Sequence, residues 1–203
     1  MKRIAFVIAG AGGIGAEVSR ATVAALTESG HRALALGLRS EQSVADAFES
    51  VEAELGPVAT LVCVAAGALD ESDTRSRIAT TTLDEWIEAE ALNARTTFLC
   101  VREFLRRRTV AGVADGRIVT VASLAGLQPG TGNGAAYATS EAGVLAITRI
   151  AALEAGPLGI TVNAIVSGTQ AYDVAEAVCF LASAEAGHIT GATIAVDGGM
   201  HLS

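Results

Sequence analysis

The sequence predicts a doubly wound α/β fold: a parallel sheet of about six strands, with helices on both faces, in a single domain. Three observations carry this. Short apolar runs alternate with longer amphipathic stretches along the whole chain. The first apolar run passes into a glycine-rich turn, GAGGIG at 10–15, and then into a helical pattern. The 203 residues are 51% hydrophobic with 22 Gly and 3 Pro, which suits one domain with a sizeable core.

Lys2 to Ala9 reads as a buried strand and Ala16 to Ser29 as a helix. Glycines let a backbone approach a pyrophosphate, and a helix N-terminus favours its charge. Gly10, Gly12, Gly13 and Gly15 are therefore the candidate cofactor-binding residues, against a tight turn that holds no ligand. Arg32 to Leu38 reads as a second strand, followed by Arg39. At that place an acidic side chain would hold a ribose hydroxyl and an arginine a 2′-phosphate, so Arg39 allows NADP(H). The competing reading is an arginine that faces solvent. Glu41 to Leu55 is amphipathic, with Val44, Phe48, Val51 and Leu55 on one face. Ala59 to Ala65 is a third strand, and the polar stretch Leu69 to Thr82 a loop. Leu83 to Arg108 reads as one long helix containing Asn93. Gly116 to Ala122 is a fourth strand, Tyr137 to Ala155 a helix and Ile160 to Ile165 a fifth strand. Asp173 to Ala182 is a helix, and AGHITGATIAVDGGM closes the chain with a last strand and tail.

Composition narrows the function. A formal net charge of -8 argues against a nucleic-acid partner. Arg106, Arg107 and Arg108 form the main basic cluster and read as a solvated helix end, where cations suit the dipole. Cys63, Cys100 and Cys179 lie far apart in apolar stretches, which predicts buried reduced thiols rather than a metal site or disulfides. No apolar run reaches membrane-spanning length, and MKRIAFVIAGAGG is too short for a signal peptide. A cytoplasmic protein is the expectation.

Ser123 to Glu141, SLAGLQPGTGNGAAYATSE, is the stretch that carries chemistry. It resembles the active-site segment of the short-chain dehydrogenase/reductase family, where a Ser is followed by Tyr-x-x-x-Lys. Ser123 and Tyr137 match, and Glu141 stands in place of the Lys. Against the family's Thr-Gly-x-x-x-Gly-x-Gly, Gly13 and Gly15 match, while Ile8 and Ala9 replace the Thr and the first Gly. Val64-Ala65-Ala66-Gly67 stands for Asn-Asn-Ala-Gly, and Gly37 for an Asp that meets the adenine. Asn93 falls where the family keeps a helix-distorting Asn; a merely structural mid-helix Asn is the alternative. GPLGITVNAIVSG matches ITVNxIxPG with Ser167 for the Pro, and the closing run matches the final strand through Gly191, Asp197, Gly198 and Gly199. The resemblance implies a Rossmann-like domain over 1–203. It also implies two internal deletions: one strand-helix unit before Glu41, and the substrate lid after Gly168.

In the family the Tyr is the general acid-base, the Lys supplies positive charge and relays protons, and the Ser holds the substrate oxygen. A free Tyr ionises near pH 10 and needs that help. One unit charge at ~4 Å is worth roughly 4 kcal/mol at an effective dielectric of ~20. Glu141 reverses its sign, so hydride transfer by the family mechanism is expected to be very poor. The expected function is a non-catalytic partner subunit of a hetero-oligomeric dehydrogenase or reductase, one acting on acyl thioesters. It would bind no cofactor, or NADP(H) if any. It would pair with an intact relative or with itself through helices 83–108 and 137–155, which resemble the family's interface pair. Two alternatives stay open. One is a cofactor-independent isomerase, lyase or cyclase, in which Ser123 and Tyr137 hold an enolate while Glu141 takes a proton. The other is an NADP-dependent oxidoreductase with unusual catalytic residues. Asn93, Ser123, Tyr137 and Glu141 are thus the candidate catalytic positions, and no metal is expected.

Overall fold

The computed structural model describes residues 2–9, 13–38, 40–65, 77–128, 134–168 and 170–202. Six parallel strands form one sheet in the order β2-β1-β3-β4-β5-β6. They are β1 Ile4–Ile8, β2 Arg32–Leu36, β3 Val58–Val64, β4 Gly116–Ser123, β5 Ile160–Ser167 and β6 Thr193–Val196. Among the described residues the helices are α1 Gly13–Glu28, α2 Glu41–Leu55, α3 Leu83–Leu92, α4 Ala94–Ala111, α5 Ala135–Ala155 and α6 Ala171–Ala182. The expected fold class holds, with β2 at one edge of the sheet.

Alternation along the strands divides the core. Ile4, Phe6 and Ile8 of β1 face α2, α4 and α5, together with Phe48, Cys100 and Phe104. Ala5 and Val7 face α1 and α6, together with Val18, Leu26, Val178 and Leu181. This period of two is what a strand covered on both faces requires. Phe6 and Phe48 meet edge to face, with centroids 5.1 Å apart. α2 begins where its sequence dictates: the Ser40 hydroxyl accepts from the Ser43 amide, and Ser43 returns the bond to the Ser40 backbone.

The single helix expected over Leu83–Arg108 is two helices, broken at Asn93. Asn93 has φ −107° and ψ −82°, and its buried amide donates to Ser140 Oγ of α5 at 3.0 Å. Helix-favouring residues on both sides mask the break in the sequence, because the bond that fixes it comes from 47 residues away.

The arginine cluster also differs from a solvated helix end. Arg106 is exposed, but Arg108 is buried, donates to the Asp115 carbonyl at 2.9 Å and lies over the Phe104 ring. Arg107 joins Glu103 at 2.7 Å to Glu52 of α2 at 3.2 Å. α4 runs on to Ala111, so these side chains fold back against α2 and the foot of β4. Arg107→Ala removes the Glu52 link and leaves the buried Glu103 with Arg106 alone. The expected cost is about 2 kcal/mol, read as a lower denaturant midpoint.

The three cysteines carry no disulfide; Cys63 and Cys100 are buried, while Cys179 is only half-buried. Among the described residues no cluster can hold a metal ion, and no helix is long and apolar enough to cross a membrane.

Candidate functional site

The chain reverses direction across the sheet between β1 and β3, and ligands of such folds bind beyond the carboxyl ends of the strands. Ser123 is the last residue of β4, on that rim. A 3-10 turn, Leu124–Gly126, follows and is capped by the Ser123 hydroxyl, which accepts from the Ala125 amide at 3.2 Å. The turn packs against α5 so tightly that a Cβ on Gly126 would lie 2.6 Å from the Glu141 carbonyl carbon. Nothing in the sequence around Gly126 signals this contact.

α5 places Tyr137, Ser140 and Glu141 at helical spacing, and so on one face. Glu141 is fully buried. Its Oε2 accepts the Ser123 amide at 2.8 Å, and Oε1 is buried. The Tyr137 phenol lies beside the Ser123 hydroxyl and the Glu141 carboxyl. The four expected catalytic positions are therefore brought together: Asn93 through Ser140, whose hydroxyl donates in turn to the Tyr137 carbonyl at 2.9 Å, and the other three directly. Ser140 is a link that a reading by motif passes over, since a serine within a helix carries no signal of its own.

Burial sets the electrostatics. Loss of water around Glu141 raises its pKa to about 8, against the Ser123 amide and the Tyr137 phenol, which both favour the carboxylate. Burial, then the neighbouring Glu141 charge, hold Tyr137 well above the usual range of a phenol. Near neutral pH both groups are protonated. A Tyr-Lys pair favours tyrosinate; this pair opposes it.

The expected cofactor residues are placed unevenly. Gly10, Gly12 and Arg39 lie outside the described residues. Gly13 opens α1 at φ +52°, a conformation that glycine tolerates, and among the described residues nothing stands within 4 Å of where its Cβ would be. Gly15 is buried in the first turn of α1. Ile8 and Ala65, at the rim ends of β1 and β3, are buried and apolar.

A second surface lies on the far side of α4 and α5. Phe98, Leu105, Val110, Ile147 and Ile150 line an open apolar groove of about 510 Å³. Val110 is 90% exposed, and Leu153 beside it on α5 is 81% exposed.

The family described as enoyl-(acyl carrier protein) reductase matches residues 5–171 and 169–201. The chain is 34% identical over 187 residues to the short-chain dehydrogenase/reductase eriH of Hericium erinaceus, covering 78% of this chain and 70% of that protein. It is 30% identical over 197 residues to the 3-oxoacyl-acyl-carrier-protein reductase FabG of Pseudomonas aeruginosa, covering 84% and 76%. A Brucella melitensis 3-oxoacyl-acyl-carrier-protein reductase with bound NAD shares the fold at TM-score 0.82 and 22% identity, covering 99% of this chain and 92% of that one.

Proposed function

This chain belongs to the short-chain dehydrogenase/reductase family, and we propose that within it the chain no longer transfers hydride through Tyr137 and serves as a partner subunit. One observation carries the reading. A fully buried carboxyl group occupies the place of the ammonium, so nothing offsets the burial that keeps the Tyr137 phenol protonated. Relatives such as the Brucella reductase hold NAD when bound, and the nucleotide supplies the hydride. The described residues of this chain fit that nucleotide poorly. Gly13 places the N-terminus of α1 at the rim, where a phosphate would be favoured. Yet Ala65 offers no amide to a ribose, and Glu141 no cation. β2 is the edge of the sheet, which fits a deleted strand-helix unit and leaves, among the described residues, no further strand beside it to cover an adenosine.

The groove on α4 and α5 supports the partner. Its apolar floor is rimmed by Arg102, Arg106 and Glu154, as an interface core is by a polar rim. Its occupant in this reading is an intact chain of the same family, one whose Tyr-Lys pair is present.

Two measurements test the proposal. Millimolar NADPH is expected to give no saturable binding and no turnover of acyl-thioester ketones by the chain alone. Co-expression with a family reductase from a neighbouring gene is expected to give a stable mixed oligomer, weakened by Ile150→Glu. Turnover by the isolated chain, or a monomer that ignores every such reductase, refutes it.

A further inference from the structure

We propose that the foot of the sheet carries an anion site, in which Lys2, Arg3 and His31 hold a phosphate group, free or carried by a small molecule. Lys2 and Arg3 lead into β1, and His31 leads into β2. All three lie at the amino ends of the strands, whereas Ser123 ends β4 at the opposite rim. The site is separate from the one described above and does not depend on the function proposed for it.

A cavity, its charge and its unpaired donors converge on the same ligand. Lys2, Arg3, Ser29, Gly30 and His31 line a cavity of about 480 Å³, a size that small ligands occupy. Its wall is basic in a chain of formal net charge -8, and Lys2 is the single lysine of that chain. Arg3 Nη1 donates to Asp115 at 3.0 Å, but Arg3 Nε and Nη2 are buried and meet no acceptor among the described residues. His31 is 9% exposed; its Nδ1 lies 3.2 Å from Ser29 Oγ, and its Nε2 is buried without a partner. Buried donors without acceptors are costly. The cavity that both residues line is the space from which an acceptor can enter. Arg3 is one-third exposed, so a modest turn of its guanidinium brings the unpaired edge to an ion there. An arginine fork and a mobile lysine ammonium are the two side chains that suit phosphate oxygens.

The positive charge is not cancelled locally. Asp115 is shared, since its carboxylate also takes Arg117 at 2.7 Å and its carbonyl takes Arg108. Glu52, which acts on Arg108, is held by Arg107 at 3.2 Å. α1 ends at this cavity, where its dipole would oppose an anion. The Ala25, Leu26 and Thr27 carbonyls of its last turn are already taken by the Ser29, His31 and Gly30 amides. Burial, then the Arg3 charge, hold His31 below the usual imidazole range, against the Leu26 carbonyl. An anion between Arg3 and His31 relieves that repulsion and lets the ring take a proton, which adds a charge to the site.

The test is a titration of the whole chain with inorganic phosphate and, separately, with phenyl phosphate, followed by calorimetry and by the NMR ring-proton signals of the histidines. Saturable binding is expected, with the titration of His31 moving to higher pH while His188 and His201 stay in place. Tighter binding of phenyl phosphate would identify a phosphate ester as the ligand and tighter binding of inorganic phosphate the free ion; either result supports the site. Arg3→Gln should weaken binding by roughly tenfold or more, the loss of a charge-assisted bond. Lys2→Ala alters an exposed side chain and leaves the Arg3–Asp115 pair in place, so it provides the same test should Arg3→Gln fail to fold. No saturation with either phosphate, equal affinity for chloride (an adventitious ion only), an unmoved His31, or full affinity in both variants overturns the proposal.

Discussion

Between about pH 4.5 and about pH 8, the wild-type chain is expected to lose on the order of 5 kcal/mol of folding stability that the Glu141→Gln chain keeps. The folded state holds the Glu141 proton up to about pH 8, whereas an unfolded glutamic acid releases it near 4.5. Within that interval unfolding releases a proton, so raising the pH favours the unfolded chain. The stabilising contribution is complete below 4.5 and gone once pH passes about 8. At neutral pH the difference between the two chains should be about 3 kcal/mol, and in acid it should vanish. Glutamine preserves the shape of the side chain and its bond from the Ser123 amide, so what it removes is the ionisation alone. Urea unfolding of both chains across the interval measures this directly. Parallel curves would show that Glu141 ionises freely in the folded state.

Gly126→Ala is expected to destabilise the chain by about 3 kcal/mol, at the upper end of overpacking costs. The added methyl would stand 2.6 Å from the Glu141 carbonyl carbon and 2.7 Å from the Ala142 amide nitrogen. Both are backbone atoms within α5, and neither can swing aside as a side-chain tip can. Relief requires the 3-10 turn to lift off the helix, and Ser123, which caps that turn, moves with it. The bond from the Ser123 amide to Glu141 should then weaken along with stability. Gly156→Ala is the control. Gly156 has φ −53° and nothing within 4 Å of its Cβ position, so alanine there should be neutral or slightly stabilising. Equal effects at the two glycines would show that the turn and the helix are not pressed together.

Element type follows from the sequence wherever periodicity and caps are local. The limits of α2 coincide with those read from Val44, Phe48, Val51 and Leu55, since the apolar face and the Ser40 cap that fix them lie within a few residues. The strands were legible for the same reason, to within one or two residues at their ends. Periodicity missed the break at Asn93, which only the resemblance hinted at, because the bond to Ser140 comes from another element and competes with strong local helix preference. Arg108 failed for a related reason: the Asp115 carbonyl that it reaches lies beyond the end of α4, where the chain turns into β4.

Chain order alone determined that this protein has a six-stranded parallel sheet and that a carboxyl group replaces an ammonium one turn after Tyr137. Only the tertiary structure decided what that carboxyl is. An exposed glutamate would be an anion. The packing of the 3-10 turn and β4 over α5 removes its water, and without solvation the proton is cheaper to keep than the charge.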